Sequence, residues 1–295
     1  MLKILIVGAK GQLGQEFVNS FRLGYCDIGK IDGQFLNAQI DAFDVDSLNI
    51  LDRQNLDTVM QNNYDYCINC SAYTAVDKAE DDIQNCYKVN VLGVQNLAFA
   101  CQKYKTTLVH FSTDYVYEGN GNTPLNETDK TSPITVYGKT KLAGENYIRE
   151  ICEKYYIFRT SWLYGKNGNN FVYKMLELSQ KLDKLRVVDD QIGTPTNAND
   201  LVYNTLAVIT TGYYGLYNCT GEGQCSWFDF ASEILRLNDI RIPIEPVSSE
   251  AFSSRATRPA YSVLDNLALK SIGMNYMRPW QEALVSFFAD KKEEE

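Results

Sequence analysis

Tyr137 and Lys141 are the residue pair in this chain with the clearest chemical potential. Four positions apart, they fall one turn apart on the same face of a helix. A lysine ammonium beside a phenol favours the phenolate and draws the tyrosine pKa down from about 10 toward the working range. Such a tyrosine gives a proton to, or takes one from, an alcohol or carbonyl oxygen. The spacing alone is common on solvated helices, so its weight comes from its company. Ser112-Thr113-Asp114 stands upstream, and glycines recur at positions 8, 11 and 14 near the N-terminus.

The elements that position these residues follow from periodicity. Residues 1–7 (MLKILIV) read as a short buried strand ending at a glycine. Gly8-Ala9-Lys10-Gly11-Gln12-Leu13-Gly14 follows and leads into the helical pattern Leu13, Phe17, Phe21. In a strand–turn–helix setting, glycines let the backbone approach a pyrophosphate, and the helix N-terminus offers free N–H groups. The spacing is one residue off the G-x-G-x-x-G form. Gln12 and Leu13 share this turn with Gly8, Gly11 and Gly14.

A second strand is expected to end in an acidic residue about 20 residues beyond the glycines, where it meets a ribose. Asp32 stands near that distance; Asp44 follows a more strand-like stretch and is preferred, with residues 24–38 as a long connection. Residues 52–62 read as helix, 64–72 as a third strand and 78–103 as one long helix. Residues 107–111 form a fourth strand that delivers Ser112, Thr113 and Asp114 at its C-terminal end, where parallel sheets bind ligands. His110 lies inside that strand and reads as a packing residue. A helix over 137–152 carries the tyrosine and lysine, and a strand over 155–163 ends at Ser161-Trp162.

Regular alternation of this kind implies an α/β fold, a Rossmann-type doubly wound parallel sheet. Farther on, a helix lies within 166–182, a strand over 185–189 and a glycine-proline turn over 191–196. Helices over 200–209 and 227–237 flank a strand over 215–219. A terminal helix starts near Pro279, and the Lys291–Glu295 tail is expected to fray. Residues 1–165 are thus read as a dinucleotide-binding domain, with segments around 185–220 returning to it. Residues 166–295 are read mainly as a smaller substrate-binding lobe.

Composition narrows the partners. A 45% hydrophobic and 22% charged chain of 295 residues is an ordinary globular protein with room for a large core. Its net charge of −9, with no basic run, argues against a nucleic-acid surface. The apolar run Ile4 to Val7 is too short for a signal peptide or membrane span, so a cytoplasmic protein without a membrane partner is expected. Of eight cysteines only Cys67 and Cys70 have C-x-x-C spacing, and residues three apart on a strand face opposite ways. The cysteines therefore read as reduced, buried hydrophobes, and no metal site is expected.

Several separate stretches now carry a family resemblance: GAKGQLG (8–14), AYTAVDKAE (72–80), FSTDYVYEG (111–119), ETDKTSPITVYGKTKLAGE (127–145), FRTSWLYG (158–165), GNNF (168–171) and DQIGTPT (190–196). With them the chain resembles the extended short-chain dehydrogenases/reductases, and within these the dTDP-4-dehydrorhamnose reductase family, over nearly its whole length. The resemblance implies reduction of the C4 keto group of dTDP-4-dehydro-β-L-rhamnose to dTDP-L-rhamnose, with NADPH or NADH as cofactor.

By the same resemblance, Tyr137 is the catalytic acid, Lys141 its partner at the nicotinamide ribose, and Thr113 the hydroxyl that polarises the carbonyl, followed by Asp114. Gly8, Gly11, Gln12, Leu13, Gly14, Asp44, Ser71 and Ala72 hold the cofactor. Asn49-Ile50 stands where the family usually has Asp-Ile near the adenine. Thr74, Val76, Tyr115 and Trp162 fall at sugar-nucleotide contacts. Arg258 or Arg255 is a candidate clamp for the diphosphate, against the plainer reading of both as surface salt bridges. Magnesium dependence is left open, as is a homodimer. Two other functions compete: a dehydratase or epimerase of the same fold, and a non-catalytic nucleotide-binding subunit. The dehydratases commonly carry Thr-Asp-Glu where this chain has Thr113-Asp114-Tyr115, and the missing glutamate favours simple reduction.

Overall fold

The computed structural model describes residues 1–289; the Lys291–Glu295 tail lies outside the described residues. Strand β1 (Lys3–Val7) is apolar on both sides of its pleat. Ile4 and Ile6 enter one core cluster, while Leu5 and Val7 enter another. A strand buried on both faces belongs at the centre of a parallel sheet.

After β1 come α1 (Gln12–Leu23), a small hairpin of β2 (Tyr25–Cys26) and β3 (Gly29–Lys30), and β4 (Gln39–Phe43). Then follow α2 (Arg53–Met60), β5 (Tyr66–Asn69), α3 (Val76–Ala79), α4 (Ile83–Tyr87) and α5 (Val94–Tyr104). Strand β6 (Thr107–Thr113), α6 (Val136–Ile151) and β7 (Tyr155–Thr160) complete the first half. Beyond lie β8 (Leu163–Tyr164), α7 (Phe171–Lys181), β9 (Leu185–Val188), β10 (Ile192–Gly193), β11 (Thr196–Asn197) and α8 (Ala198–Ile209). The chain ends with β12 (Gly215–Asn218), β13 (Cys225–Ser226), α9 (Trp227–Leu237), β14 (Ile244–Val247), α10 (Leu267–Ser271) and α11 (Trp280–Ala289).

Six parallel strands form the main sheet in the order β12-β7-β6-β5-β1-β4. The order turns at β1: β4 pairs on one side and β5 on the other. Outside the C-terminal ends of such a pair a crevice opens, and the glycine turn after β1 borders it. Helices α1 and α8 cover one face through Phe17, Phe21, Leu201 and Val202. Helices α2, α5 and α6 cover the other through Leu56, Val94, Leu97 and Ile148. The later helices α7, α9 and α11 gather around Val172, Phe230, Ile234 and Leu284 as a separate core. Cys67 and Cys70 pack into different clusters, as strand alternation requires.

Three local readings are corrected. The helix expected over 78–103 is broken into α3, α4, a π-helical turn at Lys88–Gly93, and α5. Such turns interrupt helices where a side chain must be re-aimed. Here Asn90 is aimed at the loop after β5, accepting from Tyr73 N–H at 2.9 Å and donating to Tyr73 C=O at 3.1 Å. The strand expected over 155–163 stops at Thr160, because Trp162 takes a left-handed φ of 46°. The segment read as a turn over 191–196 contributes short pairings, β10 with β13 and β11 with β8.

Candidate active site

The glycine turn is built by close approach. Gly8 has φ +77°, and a Cβ there would lie 2.7 Å from Ser71 N; at Gly14 it would collide with the Gly8 carbonyl. Gly11 is the N-cap of α1 with no side-chain cap, so the first amides of the helix face the crevice without a side-chain acceptor. Asp44, just past β4, ties the turn in place. Its carboxylate accepts from Lys10 N–H and Val45 N–H, both at 2.8 Å. The resulting cleft of about 540 Å³ is lined by Gly8, Gly11, Asp44, Asn49, Ile50, Ser71 and Ala72. Asp32 is elsewhere: it caps the short helical turn Gly33–Phe35 and borders another hollow with Tyr203 and Tyr276.

A second cleft of about 490 Å³ continues from the first through Gly11, Ser71 and Ala72. Gln12 and Leu13 border it from α1, Thr74 and Val76 from the start of α3, and Trp162 from the break after β7. Thr113, Asp114, Tyr115, Tyr137 and Lys141 line its other wall. Helix α6 is seated by two contacts at its N-terminus. Thr135 caps it, accepting from Gly138 N–H at 3.0 Å, and the Glu80 carboxylate accepts from Val136 N–H at 2.9 Å. Gly138 is needed there, since a Cβ would strike the Tyr115 carbonyl. Farther along, Glu145 is fully buried and holds Arg159 of β7 by bonds of 2.9 and 2.6 Å. That pair locks the helix against the sheet.

Electrostatics differ from the simple expectation at Tyr137. Burial pushes its phenol above the usual range, partly offset by its hydrogen bond with Thr113. Lys141 is not the group that sets it. The lysine donates to the Phe111 carbonyl at 2.5 Å and lies 3.4 Å from His110 Nε2. Burial lowers its own pKa to about 8, with Glu145 and Cys86 opposing. Tyr137 is thus held in its neutral form. Asp114 is raised by burial to about 6, and its Oδ1 accepts from the Thr113 hydroxyl at 2.8 Å. The Ser112 and Thr160 hydroxyls on the same cleft are buried without a hydrogen-bond partner among the described residues.

Gly14 and both candidate clamp arginines stand outside both linings. Gly14 packs beneath the turn. Arg258 is ion-paired with Asp77 at 2.5 Å and also donates to Ser254, which holds Asp77 well below the usual carboxylate range. Arg255 pairs in the same way with Asp81 at 2.6 Å. Other residues escaped sequence reading. Lys10 borders the first cleft while reaching Asp46 at 2.5 Å; a cation inside the glycine turn was its available signal. Trp227 stacks on Trp162 with ring centroids 3.5 Å apart and 8° between planes, and both line the second cleft. Nothing in the local pattern of α9 marks that contact.

A glycine turn feeding an uncapped helix, an acidic residue after the second parallel strand, and a Thr–Tyr–Lys set on one cleft define the short-chain dehydrogenase/reductase class. The family model described as RmlD substrate binding domain matches residues 2–293, and the chain belongs to that family. A dTDP-4-dehydrorhamnose reductase from Aggregatibacter actinomycetemcomitans is 35% identical, covering 98% of this chain and 99% of its own. Among solved structures, a dTDP-4-dehydrorhamnose reductase from Clostridium acetobutylicum is 41% identical with TM-score 0.92, covering 99% and 100%. A dTDP-4-dehydrorhamnose reductase from Bacillus anthracis, solved in complex with NADP, is 37% identical with TM-score 0.92, covering 98% and 100%.

Proposed function

We propose that this chain reduces the C4 keto group of dTDP-4-dehydro-β-L-rhamnose to give dTDP-L-rhamnose. One observation supports the reading above the others. Thr113, Tyr137 and Lys141 share a cleft that is continuous, through Gly11, Ser71 and Ala72, with the glycine-turn cleft. The turn fits a dinucleotide, because the approach at Gly8 and Gly14 is open only to glycine and the first amides of α1 have no side-chain cap. Gly8, Gly11, Gln12, Leu13, Asp44, Asn49, Ile50, Ser71 and Ala72 would hold it. Bound there, NADPH or NADH supplies the hydride.

The rest is the work of the chain's own residues. The Thr113 hydroxyl and the Tyr137 phenol meet the oxygen on which negative charge grows. Tyr137, held neutral by burial, donates its proton to that oxygen, and Lys141 stabilises the tyrosinate left behind. Thr74, Val76, Tyr115 and Trp162 orient the sugar nucleotide, and Asp114 holds the Thr113 hydroxyl on the same cleft. Arg258 exchanges Asp77 for the substrate diphosphate, a bidentate anion of the same kind. Cytoplasmic residence and a homodimer are part of the proposal, to be tested by cell fractionation and sedimentation velocity. No helix of the described residues is long and apolar enough to cross a membrane, and no three of their His, Cys, Asp or Glu side chains group as metal ligands.

The test is stoichiometry. One equivalent of NADPH or NADH is oxidised per 4-keto sugar, and product NMR finds a C4 alcohol. Conversion of dTDP-glucose to a 4-keto product without added cofactor points instead to a dehydratase. Tight cofactor binding with no turnover of any 4-keto sugar nucleotide points to a binding subunit.

A further inference from the structure

His110 is the only histidine of the chain, and it sits within β6 at 1% exposure. The proposed reaction gives it no part, yet its two ring nitrogens face two different groups. Nδ1 lies 3.0 Å from the Asn69 side-chain nitrogen, and Nε2 lies 3.4 Å from Lys141 Nζ. The Asn69 amide has only one consistent orientation. Its Oδ1 accepts from Ser71 N–H at 3.1 Å and from Ser71 Oγ at 2.6 Å, leaving its NH₂ for the imidazole. An amide NH₂ only donates, so Nδ1 must accept. Burial, then the neighbouring Lys141, hold the imidazole pKa well below its ordinary value, so the ring is neutral. A neutral ring that accepts at Nδ1 carries its proton on Nε2, and that N–H points at Lys141.

The consequence for Lys141 is directional. On the core side it meets one acceptor, the Phe111 carbonyl, and one donor, the imidazole. An ammonium has three N–H bonds to satisfy; with the imidazole closed to it, the others turn toward the cleft. We propose that His110 is a positioning residue for Lys141: locked as the Nε2–H tautomer by Asn69 and Ser71, it withholds an acceptor from the ammonium. It thereby directs Lys141 toward Tyr137 and links the Ser71 edge of the cofactor cleft to the lysine's protonation. The meaning for turnover rests on the proposed reductase reading; the tautomer does not. Other groups acting on Lys141 are Glu145 on its own helix and Cys86 from α4, and Tyr137 lines the same cleft. Glu145 is itself engaged by Arg159 and Arg149. His110 faces Asn69 from β5 and Lys141 from α6.

Because there is one histidine, full-length protein labelled with ¹⁵N-histidine gives one imidazole signal set in two-bond ¹H–¹⁵N NMR. The expected pattern is the neutral Nε2–H tautomer throughout pH 6–9, with an inflection of its shifts near pH 8 as Lys141 titrates. Asn69→Asp offers Nδ1 an acceptor, so the ring should switch to the Nδ1–H tautomer. Nε2 then accepts from the ammonium, and the inflection should rise by about one pH unit or more. An Nδ1–H ring or an imidazolium in the parent protein overturns the proposal. So does a rise in Asn69→Asp without a change of tautomer, which the added charge alone would produce. The pH profile of turnover separates positioning from mere packing. His110→Gln, whose amide accepts from Asn69 and so turns its NH₂ rather than an acceptor toward Lys141, should keep the parent profile, and Asn69→Asp, which opens an acceptor at Nε2, should move it to higher pH. Equal profiles for both variants overturn the positioning role. A protein with the expected NMR pattern and no turnover of 4-keto sugars would refute the reductase reading and leave the tautomer assignment standing.

Discussion

Glu145→Gln tests the contact that seats the helix bearing Tyr137 and Lys141. The substitution keeps the shape and removes the charge. Arg159, 1% exposed, then loses both charge-assisted bonds to the carboxylate, at 2.9 and 2.6 Å. What remains beside its guanidinium is the neutral amide oxygen of the new glutamine and Tyr117, whose hydroxyl accepts at 2.7 Å and whose ring centroid lies 5.1 Å away. A neutral phenol does not balance a buried cation. Breaking a buried pair on one side costs about 3–5 kcal/mol, out of a total stability of about 5–15 kcal/mol. With a urea slope of about 3 kcal/mol per molar for a large domain, the unfolding midpoint should fall by about 1–1.7 M. Circular dichroism through a urea titration reads this directly. Arg149→Gln is the internal control: it touches the same carboxylate at 2.9 Å but is 37% exposed, and should cost less than about 1 kcal/mol. Glu145 also raises the proton affinity of Lys141, so its loss should move the basic limb of the pH–turnover profile to lower pH. A Glu145→Gln protein within about 1 kcal/mol of the parent would refute the reasoning.

Three other outcomes are expected. Tyr137→Phe should retain nucleotide binding by calorimetry while turnover falls about 10²–10⁴-fold, the usual worth of a general acid; unchanged turnover removes Tyr137 from the chemistry. Lys10→Ala should weaken NADPH relative to NADH, because Lys10 borders the Asp44 end of the cleft, whereas Asp44→Ala should shift preference the other way; paired titrations with both cofactors decide it. Asp114 has a folded pKa of about 6, raised by burial, so its contribution to stability is fully present below about pH 4 and is lost as pH rises through 6. Asp114→Asn should therefore gain stability relative to the parent between pH 4 and 7, by roughly 3 kcal/mol at about 1.4 kcal/mol per unit; parallel denaturation curves across that range test the sign.

Much of the sheet was legible because its signals are local. The strand β1 and the pattern Leu13, Phe17, Phe21 depend on a few neighbouring residues, and Gly8 and Gly14 mark a close approach that side chains forbid. The choice of Asp44 over Asp32 follows from β4, since the second parallel strand ends just before Asp44 while Asp32 caps a short helical turn. The long helix over 78–103 was misread because its apolar spacing continues across the π-helical turn. Periodicity does not register one extra residue whose purpose is to aim Asn90 at Tyr73. Trp162 was read as the end of a strand because composition carries no sign of its left-handed backbone.

By itself the sequence determined the α/β alternation, the glycine turn and the tyrosine–lysine pair on one helix face, all consequences of periods of two and 3.6 residues and of steric limits at single positions. Only the tertiary structure decided the protonation and aim of those groups. Tyr137 is held neutral because packing buries it, and Lys141 four residues away does not offset that burial. Lys141 is turned by Phe111 and His110 from a neighbouring strand, and α6 is held by Glu80 at one end and Arg159 farther along. Arg258 is withdrawn onto Asp77, 181 residues away in the chain. Ionisation and direction depend on solvent exclusion and on partners brought together by folding, and no local spacing encodes either.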